Sequence, residues 1–290
     1  MSVDTSAPPQ ALGSVAYPDW IAPRIEALEL QRHLLELQEN GFTVLENAAP
    51  PQLTERIRAA IIRCAEETVG PGKGRTASLL LGRDPVFEEA MLLPEPYTLM
   101  ECLLGRGMLL SQLIGSIRGP GAPALPLHAD NNWVPAPFPD WDIMLTACWA
   151  CDDFTLVGGS TKVVSGSHRH RRHPSREESA AELGATPIEC PAGSIPIWNA
   201  AIWHGNYPRK IEGDRVVLHM TCTRLSFRPV EDYRHLDDGW LAGKPAALAT
   251  LLGRDDFLCH NRLAEGFADP TKLAPVFASV QSPESIPRRR

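Results

Sequence analysis

The chain has 290 residues, which is enough for one large domain with a substantial hydrophobic core, or at most two domains. Its formal net charge of -7 argues against nucleic acid as a partner, because phosphate binding requires a basic face. The seven cysteines are an odd number without framework spacing, which is typical of a reducing compartment. Because we find neither a signal segment nor an apolar run of spanning length, we expect a cytoplasmic protein without membrane contact.

The amino-terminal part predicts a loose tail followed by two helices. Residues 1–23 are rich in proline, alanine and serine and are expected to be flexible. Leucines recur at helical spacing over residues 25–38, and Asn40-Gly41 is a helix-ending signal. Residues 51–69 carry a second amphipathic pattern. The glycine-rich segment 70–76 lacks the spacing of a phosphate loop, so we interpret it as a flexible loop or lid.

Short strand-like runs dominate the second half of the chain. From residue 109 to about residue 224 they alternate with turns rich in proline and glycine. This pattern predicts a mainly β core at about 109–224, within a single domain over residues 24–290 that has helical flanks. The run 215–222 is rich in β-branched residues, and period two allows Arg215 to point into a barrel interior. Residues 238–252 suggest one further helix.

The stretch Leu127-His128-Ala129-Asp130 contains the first two residues of a candidate metal site. In an extended strand, residues i and i+2 share a face, so His128 and Asp130 can bind one ion together. His204 is suited to be the third ligand, from a segment remote in sequence. Two imidazoles and a carboxylate are the ligand set of mononuclear non-haem iron, which leaves positions open for a cosubstrate and O₂. Arg215 follows at a spacing suited to bind the far carboxylate of a dicarboxylic cosubstrate as a bidentate pair.

Three further stretches extend this pattern to most of the chain. They are a helix-to-strand segment at 39–45, a strand and loop at 109–121 that lead into the first metal ligand, and a glycine-rich strand and loop at 158–168. Together with the candidate ligands, they resemble the phytanoyl-CoA dioxygenase family of iron(II)- and 2-oxoglutarate-dependent oxygenases. The resemblance runs over about residues 41–224.

The resemblance implies a double-stranded β-helix, a cupin-like jelly-roll closed around the metal, and a reaction that uses Fe(II), 2-oxoglutarate and O₂. By position, it makes His128, Asp130 and His204 the iron ligands. It carries over four residues as binding 2-oxoglutarate, namely Arg215, Gln112, Trp149 and Asn206. The family often has a small hydroxyl residue in place of Asn206, so the local hydrogen bonding differs here. Halogenating members replace the carboxylate ligand by a small residue, so Asp130 favours hydroxylation or a related oxidation, with release of succinate and CO₂.

Four residues are candidate substrate contacts. Asn131, Asn132 and Trp133 follow directly after the ligand strand, and Arg75 lies on the possible lid. A tryptophan and two amides make a partly apolar pocket with a few directing hydrogen bonds. The sequence therefore predicts hydroxylation of a small organic metabolite or lipid-like acid, and it leaves the oligomeric state open.

Two other functions remain open from the residues alone. A zinc hydrolase or isomerase would use the same ligands. It would need a general base, and no second carboxylate stands near either ligand segment. Arg215 would also have no role in it. A catalytically silent jelly-roll that binds metal as a sensor or interaction module is the second alternative, although the intact ligand set argues against it.

Overall fold

The computed structural model describes residues 17–69 and 75–254. The helices of these residues are α1 Ala22–Ala27, α2 Gln31–Asn40, α3 Pro51–Val69, α4 Pro85–Met91, α5 Pro94–Leu104, α6 Arg176–Ala181, α7 Asp238–Leu241 and α8 Ala246–Leu251, with a 3-10 turn at Ser167–His170. The strands are β1 Phe42–Leu45, β2 Thr76–Ala77, β3 Leu109–Arg118, β4 Leu125–His128, β5 Met144–Ala150, β6 Thr161–Val164, β7 Ala185–Pro187, β8 Ile195–Asn199, β9 Trp203–Asn206 and β10 Arg215–Thr223.

The strands form two antiparallel sheets. The larger sheet has the order β1-β8-β5-β10-β3-β2, and the smaller has the order β4-β9-β6-β7. An apolar cluster joins them, with Cys148, Trp198 and Val217 from the larger sheet and Val163 from the smaller. Two facing sheets whose sequential strands alternate between them are a double-stranded β-helix, so the predicted jelly-roll is confirmed.

The two faces of the larger sheet pack against different parts of the molecule. On β10, Val216, Leu218 and Met220 belong to the main core, which the helices cover. The alternate residues Val217 and His219 face the smaller sheet. Period two therefore separates a face that stabilises the fold from a face that can carry a site.

Helix α3 packs closely against the larger sheet. It presents an apolar face that includes Leu53, Ile57 and Ile61. A Cβ built on Gly115 of β3 would lie 2.4 Å from Ile61 Cγ2, so the missing side chain allows this close approach. The helix and strand are thereby fixed behind the site-bearing face.

A β-bulge lies where β3 pairs with the end of β10. Thr221 is opposite Gln112, whereas the next residue, Cys222, is opposite Leu110, so Ser111 is the extra residue. Bulges re-aim neighbouring side chains and are common beside active sites. Here Ser111 and Gln112 line two adjacent cavities instead of opposite faces of the sheet.

Three sequence expectations about the flanks are wrong. The tail does not extend to residue 23, because Ile21 is fully buried and α1 starts at residue 22. The helix expected at 25–38 is divided, because Glu29 adopts a left-handed φ of 52° and the Leu30 N–H donates to Ile25 O at 3.0 Å. The helix expected at 238–252 is divided by a turn at residues 242–245.

The described residues include no helix that combines the length and the apolar character needed to cross a bilayer.

Candidate active site

The three predicted metal ligands meet in one cluster. His128 ends β4, Asp130 follows it in a bend, and His204 lies on β9 directly opposite His128. His128 Nε2 is 3.5 Å from Asp130 Oδ1, and His204 Nε2 is 3.5 Å from Asp130 Oδ2. One ligand atom from each residue lies within 4.8 Å of the others. The cluster has the composition of a two-histidine, one-carboxylate facial triad.

Backbone carbonyls fix which nitrogen of each imidazole faces the cluster. His128 Nδ1 lies 2.9 Å from Pro126 O, and His204 Nδ1 lies 3.2 Å from Ile202 O. Because a carbonyl only accepts, each Nδ1 donates its proton and the lone pair stays on Nε2. Burial lowers the pKa of His204, against the opposing charge of Asp130, which keeps the ring neutral. Both rings therefore turn the lone pair of Nε2 toward the cluster, which is the orientation that a metal ligand needs.

A glycine lets the two ligand strands approach each other. A Cβ on Gly205 of β9 would lie 2.3 Å from Leu125 O and 2.8 Å from Pro126 O, on the neighbouring strand β4. The Asp130 N–H also donates to Ala200 O at 2.7 Å, which ties the ligand loop to the turn before β9. The positions of all three ligands thus depend on backbone packing between β4 and β9.

A cavity of about 330 Å³, here named the metal cavity, opens beside this cluster. Residues from both sheets line it: Gln112, Ile114, Ser116, Arg118, Met144, Thr146, Thr161, Trp198, Asn206, His219 and Thr221. Burial and the charge of Arg215 lower the pKa of His219 to about 4, so that this ring is neutral as well. Among the described lining residues, Asp130 is the only carboxylate.

Arg215 lies between the sheets, as its alternation on β10 predicts, but not on the metal cavity itself. Its guanidinium stacks over the Phe154 ring at 4.8 Å, and Nη1 donates to Gly159 O. Burial lowers the pKa of Arg215 to about 10, and the charges of Arg118 and Arg209 add to the effect. The residue that lines the metal cavity at this place is Arg118, the partner of Arg215 in the β3–β10 register.

The two arginines fit an anionic ligand. Arg118 Nε, Arg215 Nε and Ser160 Oγ are buried and have no hydrogen-bond partner. Within the described part of the chain, neither guanidinium forms a salt bridge with a carboxylate. A buried, unpaired cation is costly, whereas a carboxylate can accept from two N–H groups at once. The unused donors therefore match the far carboxylate of 2-oxoglutarate.

Sequence reasoning missed Arg118, although a signal was present. Residues 112, 114, 116 and 118 share one face of β3, so the alternation that points Gln112 toward the site also points Arg118 there.

The other predicted cosubstrate residues divide into two groups. Gln112 and Asn206 both line the metal cavity, and Asn206 Nδ2 is 3.5 Å from Thr161 Oγ1. Trp149 does not line this cavity, and its role in binding 2-oxoglutarate stays a prediction. Its side chain lies in the main core on the face of β5 that the helices cover, while Thr146 on the opposite face lines the cavity.

The predicted substrate residues lie around the entrance, with one exception. Asn132 and Trp133 line the metal cavity and an adjoining cavity, and Asn131 lines only the adjoining one. Arg75 is not in either cavity. It forms an ion pair with Asp214, with 2.9 Å between Nη1 and Oδ1. The lid expected at 70–76 lies outside the described residues except for Arg75 and Thr76.

Comparisons with known proteins agree with this geometry. The sequence profile of the phytanoyl-CoA dioxygenase (PhyH) family matches residues 37–217. The uncharacterized protein Mb1539 of Mycobacterium bovis is 26% identical over 227 residues, covering 73% of this chain and 82% of that protein. The dioxygenase af480 of Aspergillus fumigatus is 28% identical over 153 residues, covering 52% of this chain and 48% of af480.

A solved structure has the same fold. It is HygX from Streptomyces hygroscopicus with nickel and 2-oxoglutarate bound, which has a TM-score of 0.60 and 21% identity, with 69% of this chain and 88% of HygX covered.

Proposed function

Because the chain belongs to the phytanoyl-CoA dioxygenase family of 2-oxoglutarate-dependent dioxygenases, we propose that it hydroxylates a small organic metabolite or lipid-like acid at an unactivated carbon. The family uses Fe(II), 2-oxoglutarate and O₂. When bound together, these supply the oxidant for a C–H bond, and succinate and CO₂ are released.

One observation carries the proposal. The cluster of His128, Asp130 and His204 shares a cavity with Arg118, and Arg215 lies opposite Arg118 with an unused buried donor. Three ligands on one side and guanidinium groups with unused Nε donors on another are what a chelating dicarboxylate requires. The roles of Arg215, Gln112 and Asn206 in binding 2-oxoglutarate belong to the proposal.

The protein residues orient the reactants. His128 and His204 would present Nε2 to a bound metal because their Nδ1 protons are held by carbonyls. The His219 ring packs edge-on against Trp198, with 5.9 Å between ring centroids, and both rings line the cavity. Burial of Arg215 strengthens its attraction for a carboxylate.

The zinc hydrolase or isomerase alternative finds less support. Such an enzyme needs a general base beside the metal-bound water. Among the described residues that line the cavity, no carboxylate other than Asp130 is present. The catalytically silent alternative is disfavoured by the intact ligands and the unused arginine donors.

The cytoplasm is the proposed compartment, and a small molecule, rather than nucleic acid or membrane, is the proposed partner. Six described cysteines are buried and unpaired, at positions 64, 102, 148, 151, 190 and 222. This is compatible with a reducing environment.

A screen of small organic compounds tests the proposal. The protein with Fe(II), 2-oxoglutarate and O₂ should form succinate together with a product one oxygen atom heavier than the substrate. The Asp130→Ala variant serves as the matched negative. Activity that depends on Zn²⁺ and consumes no 2-oxoglutarate would contradict the proposal.

A further inference from the structure

A second cavity, of about 310 Å³, adjoins the metal cavity and is here named the side cavity. The two cavities share Asp130, Asn132, Trp133, Met144 and Val230. Asp130 lines both cavities, so a molecule seated in the side cavity lies next to one of the candidate metal ligands.

The walls of the side cavity are mostly apolar. The apolar lining residues are Trp133, Val134, Ile143, Met144, Phe227 and Val230, and the charged or amide residues Asp130, Asn131, Asn132 and Arg228 line it as well. Two hydroxyl groups also line it, and both are already engaged. Ser111 Oγ accepts from the Val230 N–H at 3.2 Å, and Thr223 Oγ1 donates to Ile143 O at 3.2 Å.

Asn131 differs from these two hydroxyl residues because its side-chain oxygen is buried without a hydrogen-bond partner. Its side chain lies directly beside the ligand Asp130 and is only 4% exposed, yet Oδ1 has no hydrogen-bond partner. A buried acceptor without a donor costs about 1–3 kcal/mol, so an incoming O–H or N–H group gains more there than at a solvated site. The amide oxygen is therefore a position at which a ligand can donate a hydrogen bond.

The entrance presents one large aromatic surface. The Trp133 side chain is 78% exposed although it lines both cavities. An exposed tryptophan beside an apolar cavity offers a flat surface that a ligand can cover.

We propose that the side cavity is the substrate subsite of this enzyme and takes a compact, mainly apolar organic molecule that carries a hydroxyl or N–H group. That group donates to Asn131 Oδ1, and the apolar body packs between Met144, Phe227 and Trp133. The volume is near the lower end of the range of about 300–1,000 Å³ for small-molecule sites. Because the amide oxygen only accepts, the group of the substrate that it binds is a donor. This assignment rests on the proposed function for its reaction but not for its binding.

Binding of two matched probes tests the subsite without any turnover. Indole carries an N–H donor, and 1-methylindole has nearly the same shape without it. Full-length protein with ¹³C-labelled methionine methyl groups is titrated with each probe, with no iron added. We expect both probes to shift the Met144 resonance, assigned with Met144→Leu, and indole to bind about tenfold more tightly.

Substitutions then separate the donor contact from apolar packing. Asn131→Leu should remove the preference for indole and leave the affinity for 1-methylindole unchanged, whereas Trp133→Ala should weaken both probes equally. If Asn131→Leu does not fold, Asn131→Ala makes the same test. Equal affinities of the two probes for the parent, or an unmoved Met144 resonance, would overturn the proposal. If the protein keeps its preference for indole but does not bind Fe(II) and 2-oxoglutarate, the proposed function is overturned instead.

Discussion

Arg118 and Arg215 lie opposite each other on β3 and β10, and each has a buried Nε without a partner. Two cations held this closely raise each other's energy, and burial increases the cost. A carboxylate placed between them offsets both effects. The cosubstrate end of the site is therefore best understood as a pair of arginines, of which only Arg215 is expected from the family pattern.

We predict that Arg215→Ala and Arg118→Ala each weaken 2-oxoglutarate binding, by about 2–4 kcal/mol for Arg215 because a desolvated carboxylate loses its bidentate partner. Fe(II) affinity should hardly change, since neither guanidinium is a metal ligand. Calorimetric titration of 2-oxoglutarate under anaerobic conditions measures this. Arg215→Lys should restore affinity only in part.

Arg234 provides the matched control for these variants, because its side chain is exposed and pairs with Asp232. If Arg234→Ala weakens 2-oxoglutarate binding as much as Arg118→Ala does, the effect is one of net charge and the arginine pair has no special role.

Replacing Trp149 tests whether its side chain stabilises the hydrophobic core or binds the cosubstrate. Because it is buried in the main core, Trp149→Ala should lower the free energy of unfolding by about 3–5 kcal/mol. The folded fraction should bind 2-oxoglutarate as the parent does. Chemical denaturation and a titration measure the two quantities. Weaker cosubstrate binding at unchanged stability would restore the family-based role of this tryptophan.

At the scale of elements, the pairing of β4 with β9 sets the metal geometry, because the ligands His128 and His204 face each other across it. We predict that Gly205→Ala reduces Fe(II) affinity at least tenfold although all three ligands remain. The added Cβ would contact Leu125 O and Pro126 O far inside the normal distance, which forces β4 away.

Metal titration measures this effect, and Gly121→Ala is the matched control. A Cβ on Gly121 meets no atom within 4 Å, so any effect there comes from its left-handed φ of 73°. Unchanged iron affinity in Gly205→Ala would show that β4 does not position His128.

The segment after β10 lines both cavities, and Glu231 attaches this segment to the rest of the fold. Its carboxylate accepts from the Leu79 N–H and the Leu113 N–H, each at 2.7 Å, and from the Tyr233 hydroxyl at 2.5 Å. Val230, the preceding residue, lines both cavities.

We predict that Glu231→Ala lowers the free energy of unfolding by about 2–4 kcal/mol, because two backbone donors and a hydroxyl lose a charged acceptor. Thermal or urea unfolding measures this loss. Tyr233→Phe removes one of the three bonds and should cost clearly less. If both variants lose the same free energy of unfolding, the Glu231 carboxylate does not fix this segment.

At the scale of the whole molecule, local patterns predict what depends on alternation and spacing. The strand that begins at Arg215 follows from period two, the ligand cluster follows from the order of His128, Asp130 and His204, and the jelly-roll follows from the resemblance to the dioxygenase family. Long-range packing decides the rest. Ile21 is buried in the main core, and α1 ends at Ala27, before a left-handed Glu29 rather than a glycine. The direction of Trp149 depends on which face of β5 the helices cover, which its own sequence does not reveal.

The central claim is that one cavity holds both a metal and 2-oxoglutarate, through separate groups of residues. Anaerobic titration of Fe(II) and then 2-oxoglutarate, followed by the visible charge-transfer absorption of the chelate, tests it most directly. The parent should bind one Fe(II) and develop the absorption. His128→Ala and Asp130→Ala should lose both, and Arg215→Ala should bind Fe(II) but need far more 2-oxoglutarate. Parent-like Fe(II) and 2-oxoglutarate binding in both ligand variants would contradict the account.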